Sequence, residues 1–236
     1  MEHAGKSKES ISKSKTKRGY GKKTERRNKT NKINLSIMGT NANGLKPKME
    51  SFYHNINKFK PSICTIQETK HNKVGIFKIP GYQTFEKLRN KKGGGGLLTS
   101  VDEDLNPVLV SNCKDDIEIL TVEAKLGDRK IRIINGYGPQ EDDDVQDVLG
   151  FWQELEEEVI RGKDEGCFIL IEMDANAKVG HTIIKGDPHK MSNNGKLLHD
   201  IIERRNLVIR NSLDLSSILL TCRSFLTLSS EEAFSS

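Results

Sequence analysis

Residues 168–171, Phe-Ile-Leu-Ile, constrain the fold more than any other stretch of this chain. Four apolar residues in succession leave an extended strand without a polar face, so such a strand must be covered on both sides. The segment then changes character, with Glu172, Asp174 and Asn176 following within the next five residues. A core strand that ends in two carboxylates and an amide delivers polar chemistry to one end of a sheet.

The rest of the chain supplies the covering layers. Strand patterns occur at 33–39, 62–67, after the glycines of 93–96, and on both sides of Gly127-Asp128, a two-residue hairpin signal. Residues 167–173 form the buried strand and 207–212 a last short one. Helical spacing places Met49, Phe52, Tyr53 and Ile56 on one stripe of 46–60, with Pro61 as the stop. A second stripe of Val145, Leu149, Trp152, Leu155 and Val159 marks 144–160, and Leu197, Leu198, Ile201 and Ile202 mark 194–206. Alternating strands and helices with one antiparallel pair predict a layered α/β protein with mixed sheets.

Charge is unevenly distributed. The 236-residue chain carries a net charge of +5, yet residues 1–32 alone hold +9. This arm is nearly free of apolar residues and reads as disordered. Lys17, Arg18, Lys22, Lys23, Arg26 and Arg27 are its candidate nucleic-acid contacts, because clustered cations displace counterions from phosphates. A solvated tail without a partner is the alternative. No apolar run approaches the ~20 residues of a membrane span, and the N-terminus lacks a secretory signal. The four cysteines form no CxxC pair, which fits a reducing nuclear or cytoplasmic setting rather than a zinc site or a secreted disulfide framework.

Side-chain direction narrows the chemistry. Counting by twos from Leu35 and Ile37 reaches Asn41, and from Cys64 and Ile66 reaches Glu68. The same count from Ile131 and Ile133 passes Asn135 to Tyr137, and from Phe168 and Leu170 it passes Glu172 to Asp174 and Asn176. Four strands thus end in polar groups, and open α/β sheets gather ligand sites at the carboxyl ends of their strands. Side by side, these residues suit Mg²⁺ or Mn²⁺ held by one or two carboxylates, with amide and phenol donors for phosphoryl oxygens.

Five segments, TNANGL (40–45), ICTIQETK (63–70), INGYGPQ (134–140), MDANAKVG (173–180) and NGKLLHDIIERRNLVIRNS (194–212), occur in order. Together they resemble the endonuclease/exonuclease/phosphatase superfamily, most closely the endonuclease domain of non-LTR (LINE-like) retrotransposons, over residues 33–214. The resemblance implies a four-layer α/β (α+β) sandwich, two mixed sheets face to face with helices outside, and Mg²⁺- or Mn²⁺-dependent hydrolysis that nicks DNA. It implies that Glu68 is the principal metal ligand, assisted by Asn41. Tyr137 would contact the scissile phosphate, Asp174 would position the nucleophile or protonate the leaving group, and Asn176 would bind a phosphate oxygen.

Two departures qualify that expectation. The family's Gly-Asp-Phe-Asn appears as Met173-Asp174-Ala175-Asn176, which keeps both polar members. The family's closing Ile-Asp-Tyr-like strand and Ser-Asp-His motif have no counterpart after Leu215, and His181, His189 and His199 stand in unrelated contexts. The expectation is a domain that lacks its last strands, with an incomplete second sheet, a divergent or frame-shifted tail at 215–236 and impaired catalysis. The alternative function is a non-catalytic or inert remnant that touches nucleic acid only through the arm. The run Glu141–Asp144 reads as negative charge for the start of the helix that follows, and the run of glycines at 93–96 as a turn.

Overall fold

The computed structural model describes residues 35–89, 95–110, 113–114, 116–180, 190–209, 218–222 and 228–230. In chain order the strands are β1 (Leu35–Asn41), β2 (Ile63–Gln67), β3 (Tyr82–Lys87), β4 (Leu97–Asp102), β5 (Val108–Leu109), β6 (Ile119–Leu126), β7 (Arg129–Tyr137), β8 (Phe168–Asp174), β9 (Leu207–Ile209), β10 (Ile218–Cys222) and β11 (Leu228–Ser230). The α-helices are α1 (Met49–Phe59), α2 (Val145–Asp164) and α3 (Asn193–Arg204).

Two mixed sheets result. The first runs β11-β1-β2-β4-β3, and the second β5-β6-β7-β8-β10-β9. The parallel pairs β1–β2 and β7–β8 sit at the centres of their sheets, and the antiparallel pairs β2–β4 and β6–β7 extend them. Leu35, Ile37, Ile63, Val122, Ile131, Ile133 and Leu170 fill the space between the sheets. Helix α1 covers the outer face of the first sheet through Phe52 and Ile56, which pack on Cys64 and Ile66. Helices α2 and α3 cover the second sheet through Trp152, Leu155, Leu198 and Ile201, which pack on Ile134, Ile169 and Ile171. The expected four-layer α/β sandwich is the observed architecture. Residues 168–171 behave as their composition demands, with Leu170 facing the other sheet and Ile169 and Ile171 facing the helices.

Local signals explain the element ends. Lys60 closes α1 in a left-handed conformation directly before Pro61. Gly127-Asp128 forms the two-residue hairpin between β6 and β7. The acidic run at 141–144 is partly capping. The Asp144 side chain accepts the Gln146 N–H to start α2, and Glu141 accepts the N–H groups of Asn193 and Asn194 to start α3. The α2 stripe differs from expectation. Val145 and Leu149 are 66% and 46% exposed, whereas Phe151 and Glu158 are buried. The helix also runs to Asp164, so its contact with the sheet begins one to two turns later than the apolar spacing implies.

The tail at 215–236 was set apart on sequence. Backbone pairing nonetheless continues past residue 214: β10 lies between β8 and β9, and β11 runs parallel to β1. The apolar run Ile218-Leu219-Leu220 has the composition of a strand, which is the physical reason this part of the chain can join a sheet. The edge segments β3 and β5 add to the strands expected from sequence; β3 mixes Tyr82 and Phe85 with Gln83, Glu86 and Lys87 and has no clean alternation, and β5 is only two residues long.

A polar bridge joins the sheets where their strands run out. Gln67 Nε2 donates to Asn135 Oδ1 at 2.8 Å, and Asn135 Nδ2 reaches the Leu98 carbonyl at 2.9 Å and Thr99 Oγ1 at 3.2 Å. Gln67 and Asn135 are both fully buried. Replacing Asn135 by Ala strands the Gln67 Nε2 amide in a dry interior and removes the second hydrogen bond of the Leu98 carbonyl. The expected result is a loss of about 2–3 kcal/mol, seen as a lower urea midpoint with an unchanged slope.

Candidate active site

The site forms at the carboxyl ends of β1, β2, β7 and β8. Register places Asn41 opposite Gln67 in one sheet and Tyr137 opposite Asp174 in the other. Asn41 then links the two sheets: its Nδ2 donates to Glu68 Oε1 at 2.8 Å and to Asp174 Oδ2 at 2.6 Å. Its Oδ1 accepts the Asn43 N–H at 2.9 Å, which fixes the amide with its donor toward the two carboxylates. Asn176 closes the set. Its backbone N–H donates to Asp174 Oδ1 at 3.1 Å and its Nδ2 to the Gly138 carbonyl at 2.7 Å. Four of the five expected side chains, Asn41, Glu68, Asp174 and Asn176, thus line one cleft with Asn43, Gln140, Glu141, Asp142, Lys178 and Ser192. Tyr137 lines the adjoining cavity with Gly138 and Gln140 and reaches the set by hydrogen bonds to Glu68 and Asn176.

Glu68 arrives by a route that simple alternation does not give. Cys64 and Ile66, the residues from which it was counted, face α1 and not the other sheet. The face of β2 toward the second sheet carries Ile63 and Gln67. Glu68 enters the cleft because its backbone turns left-handed, with φ +50°. Asn43, Lys70 and Asn176 share that conformation at +44°, +53° and +44°. A side chain in this region costs on the order of 1 kcal/mol, and such strain is characteristic of functional sites. The β2 end is held by Gly95 and Gly96, whose carbonyls accept the N–H groups of Lys70 and Thr69.

The turns that carry Tyr137 and Asn176 touch through bare backbone. A Cβ on Gly138 would lie 2.5 Å from the Ala175 carbonyl oxygen, and one on Gly195 would overlap the Lys178 carbonyl oxygen. The Gly138 N–H donates to the Asp174 carbonyl at 2.7 Å, so the two turns are stitched in both directions.

Electrostatics divide the roles. Burial pushes the Glu68 carboxyl up, but hydrogen bonds from Asn41, Lys70 and Tyr137 together with the Lys70 charge outweigh it. The group is held below the ordinary glutamate range as an anion. Burial raises the Tyr137 phenol; hydrogen bonding from Asn176 opposes this, while the charges of Glu68 and Asp174 add to it. Tyr137 therefore remains a proton donor at neutral pH. Lys70 Nζ stands 2.9 Å from Glu68 Oε2 and also donates to Asn43 Oδ1. Gln140 Nε2 lies 3.3 Å from Tyr137 Oη. Neither Lys70 nor Gln140 was singled out on sequence, although each sits inside a motif that was.

The donor set suits a hard divalent cation. Two carboxylate oxygens converge on one amide nitrogen, the partially positive end of a dipole, which is the kind of position a cation with oxygen ligands takes. Two other groupings, Cys113–Glu154–Glu158 and Glu123–Glu165–Cys167, contain metal-ligand residue types. Guanidinium groups already hold them: Arg161 pairs with Glu154 and Glu158, and Arg132 with Glu123 and Glu165. Among the described histidines, His54 is on α1, His199 is on α3 beside Asp200, and His71 is buried next to Glu86; none lines the cleft. The basic arm and His181 and His189 lie outside the described residues. Among the described residues no helix is long and apolar enough to cross a membrane, and Cys64, Cys113 and Cys167 are free thiols.

No protein-family model matches the sequence, and no curated protein matches it. Solved structures do. An AP endonuclease from Leishmania major superposes with a TM-score of 0.63 at 13% identity, over 79% of this chain and 78% of that one. The endonuclease domain of TRAS1, a telomere-specific non-LTR retrotransposon, gives 0.58 at 16%, over 79% and 84%. The 3' phosphatase NExo from Neisseria, bound to a product DNA hairpin, gives 0.55 at 12%, over 80% and 86%. The chain therefore has the fold of the endonuclease/exonuclease/phosphatase superfamily.

The depressed Glu68 carboxyl yields a pH signature. Its ionised form stabilises the fold above the ordinary glutamate value, about 4.5, and that contribution is lost as pH falls through the lower folded value. Between pH ~5 and ~3, Glu68→Gln should lose less stability than the parent chain in parallel urea titrations. Superimposable pH profiles would show that Asn41 and Lys70 do not hold this carboxylate in solution.

Proposed function

We propose that this chain is a metal-dependent phosphodiester hydrolase, a DNA-nicking endonuclease domain of retrotransposon origin, with low intrinsic activity. The observation that carries the reading is the Asn41 amide nitrogen, which brings Glu68 and Asp174 within hydrogen-bond reach of one point from positions 27 and 133 residues away in the chain. The superposition on DNA-processing enzymes, one of them bound to a DNA hairpin, supports DNA as the substrate class. The likeness to the TRAS1 domain supports the retrotransposon lineage.

In this reading Glu68 would hold Mg²⁺ or Mn²⁺ with Asp174 beside it, and Asn41 would join them once its amide turns to present Oδ1 in place of Nδ2. The ion, when bound, neutralises charge on the phosphoryl oxygens and on the leaving oxygen. The residues of the chain do the rest. Tyr137, kept protonated, donates to a non-bridging oxygen of the scissile phosphate and stabilises the charge that builds there. Asp174 accepts a proton from the attacking water or aligns it. Asn176 binds a phosphate oxygen and, through Gly138, fixes the turn on which Tyr137 stands. Lys70 offers a mobile ammonium to the incoming anion. The expectation of low activity rests on the described histidines, His54, His71 and His199, all of which stand outside the cleft.

A second reading, a non-catalytic nucleic-acid binder that works through residues 1–32, is favoured by the same want of a histidine and by the +9 charge of that segment. Two measurements separate the readings. Mn²⁺ bound to the full chain, followed by electron paramagnetic resonance, should weaken at least tenfold in Glu68→Gln; unchanged binding sinks the enzyme reading. Supercoiled plasmid with Mg²⁺ should be nicked slowly, and the residual nicking should vanish in Asp174→Ala. Robust nicking that Glu68→Ala or Asp174→Ala abolishes overturns the claim of low activity. For the arm, replacing Lys17, Arg18, Lys22, Lys23, Arg26 and Arg27 by Ala should weaken DNA binding and flatten its dependence on salt by about five units of log–log slope.

A further inference from the structure

Asn194, in the first turn of α3, has a buried environment that packing alone does not require. Its side chain is 1% exposed and lies among groups that cover the back of the cleft. Oδ1 accepts the Trp152 Nε1–H at 3.1 Å. Nδ2 donates to the Pro139 carbonyl at 2.7 Å and to the Asn176 carbonyl at 3.2 Å. Both amide protons are thus used, one on each of the two turns that carry Tyr137 and Asn176. The backbone N–H of Asn194 is held by Glu141, and Gly195 permits the helix to press against the Lys178 carbonyl. The neighbouring contacts between α2, α3 and the sheet are apolar; a leucine would fill this space but would leave the Trp152 Nε1–H and the Pro139 and Asn176 carbonyls without this partner.

We propose that Asn194 is a positioning residue: from behind the cleft it sets the spacing of the 137–139 and 174–176 turns, and it couples Trp152 to whatever those turns grip. The proposal rests on the reading that Tyr137 and Asn176 bind a phosphodiester. Trp152 is the single tryptophan of the chain, so its emission reports on this node without a label. An anion that draws Tyr137 and Asn176 together pulls on the Pro139 and Asn176 carbonyls, then on the Asn194 amide, and so alters the hydrogen bond to the indole.

The test uses the full chain with Mg²⁺ and thymidylyl-thymidine, a probe with one phosphodiester. Calorimetric titration gives its affinity, and Trp152 emission is followed in parallel. The parent chain should show an emission change that saturates with binding. Asn194→Asp keeps the acceptor for Trp152 but sets a carboxylate against the Pro139 and Asn176 carbonyls; it should fold with a clearly lower melting point, bind the dinucleotide roughly tenfold more weakly and lose the emission response. Trp152→Phe removes the indole donor and some core volume but leaves both Asn194 donations, and it should bind like the parent. Tyr137→Phe and Asn176→Ala report on the underlying reading. If both leave the affinity unchanged, the phosphodiester site falls, and this inference with it. If they weaken binding while Asn194→Asp does not, only the inference falls. Equal losses in Trp152→Phe and Asn194→Asp would reduce Asn194 to core packing. Asn194→Ser is the uncharged control; failure of both Asn194 variants to fold would have the same meaning.

Discussion

Two apolar sheet faces can slide across one another at little cost, because hydrophobic contact has no direction. The hydrogen bond from Gln67 to Asn135 does have one. It joins β2 to β7 in a dry interior where an unmet amide is expensive, so a single relative placement of the sheets satisfies it. The next residues along these strands are Glu68 and, after Gly136, Tyr137. Placement of the sheets is therefore placement of the site. The Asn41 bridge to Glu68 and Asp174 sits at the strand ends just beyond it and depends on the same alignment.

Much of this organisation could be read from residue order. The buried strand at 168–171 required layers on both sides, and the hairpin at Gly127-Asp128 and the stop at Pro61 are local effects that tertiary contacts did not override. Alternation correctly carried Asn41, Tyr137 and Asp174 to the strand ends. It failed in its reasoning for Glu68, because counting by twos assumes an extended backbone, and φ at Glu68 is +50°. The apolar spacing of α2 failed at Val145 and Leu149 for a different reason: spacing identifies a stripe but not where along it the sheet begins. Pairing by β10 and β11 was not legible at all, since strand composition in a short run does not specify a partner. Asn194 illustrates a further limit. Its value lies in two carbonyls from distant turns, and carbonyls have no signature in a sequence.

Strain and rigidity are distributed in a consistent way. Four of the left-handed residues, Asn43, Glu68, Lys70 and Asn176, stand at or beside the cleft, and each is tied by backbone or side-chain hydrogen bonds to a neighbouring turn, whereas Lys60, Asn106 and Asn206 take the same conformation elsewhere, where helical segments end. The surroundings over-determine these conformations, as they must if strained residues are to persist. What is left adaptable is Lys70, a half-exposed ammonium shared between Glu68 and Asn43.

The acidic loop after Pro139 has one more consequence. Four adjacent carboxylates beside a cleft would seem to repel a polyanion. Yet Glu141 accepts two N–H groups at the start of α3, Asp143 accepts the Gln140 N–H and Asp144 caps α2. Each of those carboxylates, although exposed, caps the positive end of a helix or a turn, where local dipoles offset part of its charge. Among the described residues Asp142 makes no such backbone contact, and the cleft it lines also presents Lys178, with Lys70 beside it on Glu68. A strand of nucleic acid approaching this rim would meet a surface far closer to electroneutral than the letters EDDD suggest.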